Sequence, residues 1–295
     1  MLRFLTALSL GLALVFTGIG LMLSRQWGWS EYASNQLYVI YGQLNNATVS
    51  PFFEVNAAGN SDPEPLMVRD GTLMALNCSP DGRTLAFLTV SGNLTVINQS
   101  GVIYNRALGQ GYDALTTANN GTVAVTQKVY GIVRVISPNG SSLPAPPDHI
   151  AYDPIKITSA GDTLWSHTAQ GGIKLLAPSG ETTLTVAPSA SSPVWLAGEQ
   201  MFTFANANGS VDSTGGMVDS ARQLVVPLHH SIIPNGLLSP DASVEVVRYV
   251  EAGSSHEQLY LVDPLTSQPK KQLTNDDFFH MPICFLTFRP HMLTN

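Results

Sequence analysis

Charge is what this chain has least of. Asp, Glu, Lys and Arg make up 12% of its 295 residues, against roughly 25% in an average soluble domain. Its polar surface must therefore come from Ser, Thr, Asn, Gln and Gly, and such a surface loses little solvation when a partner covers it. The few charges lean acidic, with 14 Lys plus Arg against 21 Asp plus Glu and a formal net charge of -7. That balance excludes a nucleic-acid partner, which needs a basic face. Cysteine is nearly absent too: there are two, Cys78 and Cys284, and no CxxC, which excludes a zinc ribbon or a thioredoxin-like motif. The sequence contains no G-x-S-x-G, no H-E-x-x-H and no Walker loop, so the usual local signatures of catalysis are missing. Gly109-x-Gly111-x-x-Ala114 has the spacing of a dinucleotide loop. It leads into a strand, however, and offers no helix N-terminus for a pyrophosphate. No cofactor is expected.

One long hydrophobic run is present. Phe4 to Leu23 carries no charge, with Arg3 before it and Arg25 after it, and about 20 such residues suffice to cross a bilayer as a helix. Trp27, Trp29 and Tyr32 follow, where an interfacial aromatic belt would sit. A cleaved signal peptide is the competing reading, but Gly18-Ile19-Gly20 is a poor cleavage site and the apolar run continues past it. The expectation is a retained transmembrane anchor over residues 1–27 and a linker over 28–35. Arg3 and the amino terminus then bias the N-terminus to the cytoplasm and the rest to the periplasmic or extracellular side.

Beyond the linker, strand and turn signals recur without a helical stretch. Leu76 to Phe87 reads as a strand, a Ser79-Pro80-Asp81-Gly82 turn and a second strand. Leu237 to Val247 repeats this around Ser239-Pro240-Asp241 and continues through Gln258–Asp263 to Lys271–Asn275. Turn glycines at 82, 121, 161 and 198 fall about 40 residues apart, the period of a four-stranded propeller blade. The two ends complete each other. Pro282–Phe288 looks like an innermost strand without the strands that should follow, and Leu37–Asp70 looks like three strands without an innermost one. Joined, they close a ring with no open sheet edge, and the blade count becomes six.

On the two Ser-Pro-Asp units, the region from Gln36 to Pro290 resembles a TolB-type (WD-repeat-like) β-propeller. The middle units depart from that pattern: Ala160-Gly161-Asp162 and Ala197-Gly198-Glu199 lack the Ser-Pro. The resemblance independently implies six blades. The expected fold is therefore all-β, a six-bladed β-propeller of four-stranded antiparallel blades over residues 36–295, closed by the C-terminal strand and preceded by one transmembrane helix.

Residues just ahead of the innermost strands of such a ring surround one mouth of its channel. Asp70, Asp113, Asp148, His149, Asp153, His229, His230, Asp276, Asp277 and His280 all occupy such positions. In a chain so poor in charge, this makes Asp113, Asp153, His230, Asp277 and His280 the candidate ligand-binding residues. Converging carboxylates suit a hard cation and histidines a softer one, although polar loops at a channel mouth can equally be plain solvated loops. No catalytic residue and no metal ligand is assigned. Cys78 directly precedes its turn while Cys284 lies five residues ahead of Arg289, an offset beyond the Cα reach of a disulfide, so two free thiols are expected.

The functional expectation is a membrane-anchored extracytoplasmic module that binds protein, an accessory subunit of a membrane complex, touching lipid through residues 4–23. The rivals are an exported propeller hydrolase or lactonase with its site at the channel mouth, and a TolB-like cell-envelope assembly or sensor protein. The enzyme needs a metal or an acid/base pair in the channel. The scaffold needs a contiguous uncharged patch, on an outer blade face or near the membrane.

Overall fold

The computed structural model describes residues 37–290, apart from 46–47, 59–61, 69–70, 146–154, 167–172, 178–182, 187–189, 200, 207–214, 220–223, 228–236, 242, 251–256, 265 and 267. The anchor positions Phe4, Leu23, Trp27 and Trp29 and the candidates Asp153 and His230 lie outside the described residues. Among those described, every regular element is a strand, and no helix is long and apolar enough to cross a membrane.

The strands form six four-stranded antiparallel sheets. The first contains β1 (Tyr38–Asn45), β2 (Thr48–Asn56) and β3 (Glu64–Pro65), and the second contains β4 (Leu73–Cys78), β5 (Thr84–Thr89), β6 (Asn93–Asn98) and β7 (Gly101–Ala107). The third contains β8 (Ala114–Thr117), β9 (Val123–Gln127), β10 (Ile132–Ile136) and β11 (Ser142–Leu143). The fourth contains β12 (Lys156–Ile157), β13 (Thr163–Ser166), β14 (Ile173–Leu176) and β15 (Thr183–Val186). The fifth contains β16 (Ala190–Trp195), β17 (Met201–Asn206), β18 (Gly215–Asp219) and β19 (Leu224–Pro227). The sixth contains β20 (Leu237–Leu238), β21 (Glu245–Val250), β22 (Glu257–Val262) and β23 (Pro269–Gln272), and β24 (Phe279–Leu286) follows it. β24 returns to the first sheet and lies antiparallel beside β1, with Tyr38 opposite Leu286 and Leu44 opposite Phe279. The first and last of the described strands thus share a sheet.

The core is a series of seams between successive sheets. Strand alternation dictates it: Val39 and Tyr41 of β1 pack against Val246, Leu259 and Leu261 of the sixth sheet, while Ile40, between them, packs against Leu76, Leu85 and Phe87 of the second. Leu88 and Val96 meet Leu115 and Val125 across the next seam. Trp165 closes the seam between the third and fourth sheets, and Leu164 meets Trp195 and Phe202 in the seam between the fourth and fifth. Strands of this kind are apolar on both faces, and all six residues of β5 are buried.

The two Ser-Pro-Asp turns share one hydrogen-bond network. In the second sheet Ser79 Oγ donates to Asp81 Oδ1 at 2.5 Å, Arg83 N donates to the same oxygen at 3.0 Å, and Thr84 N donates to Ser79 Oγ at 3.0 Å. In the sixth sheet Ser239, Ser243 and Val244 repeat those bonds around Asp241 Oδ1 and Ser239 Oγ at 2.7, 3.1 and 3.1 Å. Asp81 and Asp241 are therefore turn-forming carboxylates, each accepting a local backbone N–H. Gly82 completes the first turn at φ +69, where a Cβ would sit 3.1 Å from the Phe285 carbonyl oxygen and 3.2 Å from Thr287 Cγ2. Only glycine tolerates both the left-handed backbone and that approach.

One expectation is overturned. Cys78 and Cys284 form a disulfide, with Cα atoms 5.6 Å apart, and no cysteine among the described residues is free. The expected offset equates Arg289-Pro290 with the Ser79-Pro80 turn, and the pairing shows a different equivalence. The last paired residue is Cys78 in β4, opposite Leu85, and Leu286 in β24, opposite Tyr38. Cys284 is thus two residues from the end of its strand. The turn of the second sheet also leans over β24, where Thr287 N donates to the Gly82 carbonyl at 2.8 Å. That lean cancels the remaining stagger and brings the sulfurs together.

Candidate functional site

The first strands of the six sheets converge on a common cavity of about 120 Å³. Each contributes to the wall: Cys78, Thr117, Ile157, Val194, Leu238 and Cys284 come from β4, β8, β12, β16, β20 and β24. The disulfide is part of this wall. Thr116 and Thr117 direct their hydroxyls to the carbonyls of Ile155 and Asn77, so their polarity is spent on tying neighbouring first strands together.

All first strands run in one direction through the molecule, from an entry end to a turn end. At the turn end, hairpins of several sheets are clasped by side chains. Glu199 accepts from Asn119 N at 2.5 Å through one oxygen and from Ser159 N at 2.7 Å through the other. Asn119 in turn donates from Nδ2 to the Ala197 carbonyl at 2.6 Å and accepts from Asp81 N at 3.0 Å. The clasp joins the turns of the second, third, fourth and fifth sheets. Glu199 is the one non-glycine with positive φ among the described residues, at 52°. A left-handed backbone at such a residue costs on the order of 1 kcal/mol, which two charge-assisted bonds to backbone N–H groups can offset. Burial pushes the Glu199 pKa up, while the Asn119 and Ser159 donors pull it down. Sequence reading treats Ala197-Gly198-Glu199 as a mere departure from the repeat. The turns it clasps lie about 40 and 80 residues away in sequence, so no local signal marks its role.

The candidates at the entry end are placed as follows. Asp113, just before β8, accepts from Lys128 N at 3.0 Å and caps the hairpin between β9 and β10. Asp276 and His280 are brought together, with His280 Nε2 3.2 Å from Asp276 Oδ1, although the contact is too poorly aligned to count as a hydrogen bond. The imidazole is 2% exposed, lies 5.2 Å from the Tyr41 ring and has its Nδ1 3.3 Å from the Phe278 carbonyl. Burial pushes its pKa down and the Asp276 carboxylate opposes that shift. Burial and Asp276 together push the Tyr41 phenol up, so that ring stays neutral. Gln258 locks the loop beneath, donating to the Asp276 carbonyl at 2.5 Å and accepting from Thr274 Oγ1 at 2.8 Å. Asp277, by contrast, is exposed. Among the described residues no three His, Cys, Asp or Glu side chains lie close enough to hold a metal ion. Asp113 and the Asp276–His280 pair thus brace the entry end.

No protein-family profile matches the chain, and no curated protein matches it either. Solved structures do. TolB from Acinetobacter baumannii aligns over 85% of this chain and 68% of its own, with TM-score 0.57 and 11% identity. A chain of the nidogen/laminin complex aligns over 86% of this chain and 100% of its own, with TM-score 0.51 and 10% identity. A protein of unknown function from Bacteroides caccae aligns over 84% and 98%, with TM-score 0.45 and 14% identity. The first two establish the fold as a β-propeller, with the four-stranded sheets as its blades.

Proposed function

We propose that this chain is a six-bladed propeller held at a membrane by residues 4–23, on the extracytoplasmic side, and that it works by binding protein as an accessory subunit of a membrane complex. The observation that carries the reading is the use made of the acids and the histidine. Asp113 accepts from Lys128 N, Asp276 Oδ1 accepts from Phe278 N, and His280 is buried against the Tyr41 ring, internal contacts that support a structural use of these groups. The six sheets and the closure of the first by β24 favour six blades in one ring. The buried disulfide favours export, because such bonds persist in oxidising compartments. One of the similar propellers belongs to a protein–protein complex, nidogen with laminin, and a propeller fold serves binding at least as readily as chemistry.

The experiment is extraction of the full-length protein from native membranes in mild detergent. Carbonate-resistant membrane association and a co-purifying partner in fixed ratio are expected. Release by carbonate would remove the anchor. Turnover of an ester or lactone by the pure protein, with no partner, would replace the reading with the hydrolase.

A further inference from the structure

Positive charge in this acidic chain gathers on the outer flank of the third sheet. Lys128 directly follows β9, and Arg134 is the third of the five residues of β10. Register turns Arg134 towards the second sheet. It stands opposite Val125, which packs in that seam with Leu88 and Val96. Arg106 faces the same seam from β7. It stands opposite Leu94, another residue of the seam, and its Nη1 donates at 2.5 Å to the carbonyl of Gly140, in the hairpin that follows β10. Five strand residues span about 17 Å. Lys128 thus lies at one end of β10, Arg134 at its middle and the Arg106 guanidinium beyond its other end. Arg106 and Arg134 donate to neutral acceptors, the second being the Tyr112 hydroxyl at 3.4 Å, so their charges remain. Among the described residues none of these three cations forms an ion pair, whereas Arg248, Lys270 and Arg289 each meet a carboxylate. Asp113, whose Oδ1 accepts from Lys128 N, offsets one charge of the three.

The same strand has an open edge and an apolar tip. β11 pairs with Val135 and Ile136 alone, and Pro144 follows it, a residue that cannot donate to a ladder. Among the described residues, Ile132, Val133 and Arg134 therefore have no strand on their outer side. In the hairpin that leads into them, Val129 and Tyr130 are 84% and 71% exposed, the two most exposed large hydrophobics described. We infer that this flank is the docking site for an extended acidic segment of a partner protein. The segment adds as a strand beside Ile132–Arg134, sets carboxylates against Lys128, Arg134 and Arg106, and lays an apolar side chain on Val129 and Tyr130. The inference rests on the protein-binding reading and gives it a location.

Two observations select the occupant. The charges form a row along one strand, in a chain whose formal net charge is -7, so they attract a carboxylate-bearing chain locally against the sign of the whole. The row runs beside a free strand edge, whose N–H and C=O groups pair in register only with another polypeptide backbone. Lipid headgroups or a phosphate backbone would meet the cations and leave that edge unpaired.

The test is selection of a displayed library of short random peptides on the full chain in detergent, followed by affinity measurement with synthetic copies of the enriched peptides. Enriched sequences should alternate Asp or Glu with apolar residues, and their binding should weaken as salt rises. Lys128→Glu with Arg134→Glu should weaken it about tenfold or more. Val129→Ser with Tyr130→Ser, confined to the exposed tip, should weaken it severalfold with thermal unfolding unchanged. N-methylation of alternate peptide residues, which blocks the ladder, should abolish it. No enrichment, peptides without acids, or peptides that bind both double variants as well as the native chain overturn the inference. So does displacement of the peptide by an oligothymidylate or by short-chain phosphatidylserine as readily as by the acidic peptide itself at matched charge, since the site would then take any anion. If the double glutamate variant recovers its partner from native membranes in full ratio, the flank is wrong and the binding-module reading stands. If neither protein recovers any partner, that reading fails and the inference with it.

Discussion

Removing the disulfide is the perturbation with the largest calculable effect. Cys78 and Cys284 are separated by 206 residues, so the bond closes nearly the whole described chain into one loop. Loop-closure entropy assigns about 4.7 kcal/mol to a loop of about 100 residues, and doubling the loop adds about 0.6. The bond should therefore contribute about 5 kcal/mol, comparable with the whole stability of many domains. It acts where the ring is weakest, since β24 is held in the first sheet by pairing to β1 alone and the bond fixes its far side to β4. With a urea slope of about 3 kcal/mol per molar, the unfolding midpoint of Cys78→Ala/Cys284→Ala should fall by roughly 2 M. Urea titrations of the oxidised, reduced and double-alanine proteins, followed by intrinsic fluorescence, read this directly. Reduced and double-alanine proteins should agree with each other. Equal midpoints for all three, or reactive thiols in the unfolded protein before reduction, would refute the pairing and the closure argument built on it.

Other perturbations bear on separate parts of the structure. Glu245 is 4% exposed with no partner for Oε1, and burial pushes its pKa up to about 7. Its folded pKa is raised, so its contribution is fully present below about pH 4.5 and is lost as the pH rises through about 7; Glu245→Gln should remove that loss and stabilise the protein at pH 8 by about 2–3 kcal/mol, read as thermal stability against pH. Glu199→Ala deprives two backbone N–H groups of their acceptor and should cost about 2–4 kcal/mol in urea unfolding, with Glu199→Gln costing less because one acceptor oxygen remains. Deleting the chain from Met281 onward removes most of the pairing of β24 with β1, takes Cys284, Phe285 and Leu286 out of the seams around Ile40 and Val39, and should abolish cooperative unfolding; an unchanged melting temperature would contradict the closure.

The parts of this fold that can be read in the sequence are those written locally. Ser79-Pro80-Asp81 and Ser239-Pro240-Asp241 are legible because each turn is closed by its own side chains. The pairing of the chain's ends is legible because a strand without neighbours must find some. The disulfide is not, because it depends on how far one hairpin leans over the next strand, as the Thr287–Gly82 bond shows. The Glu199 clasp is hidden for the same reason, since its partners are adjacent only once the hairpins converge. At the entry end the sequence singles out Asp113, Asp277 and His280 by chemistry. Yet the burial of His280 against Tyr41 follows from strand register, and Phe278 is exposed in the loop just ahead of that strand. An alternation of charged and aromatic residues does not say which of them faces water.

The most direct test of the central claim is the native mass of the full-length protein released from its own membranes in mild detergent. The binding-module reading predicts a single species heavier than the 31.5 kDa chain by the mass of at least one other protein in fixed ratio. A lone 31.5 kDa chain, monodisperse and turning over a small-molecule substrate, would contradict it.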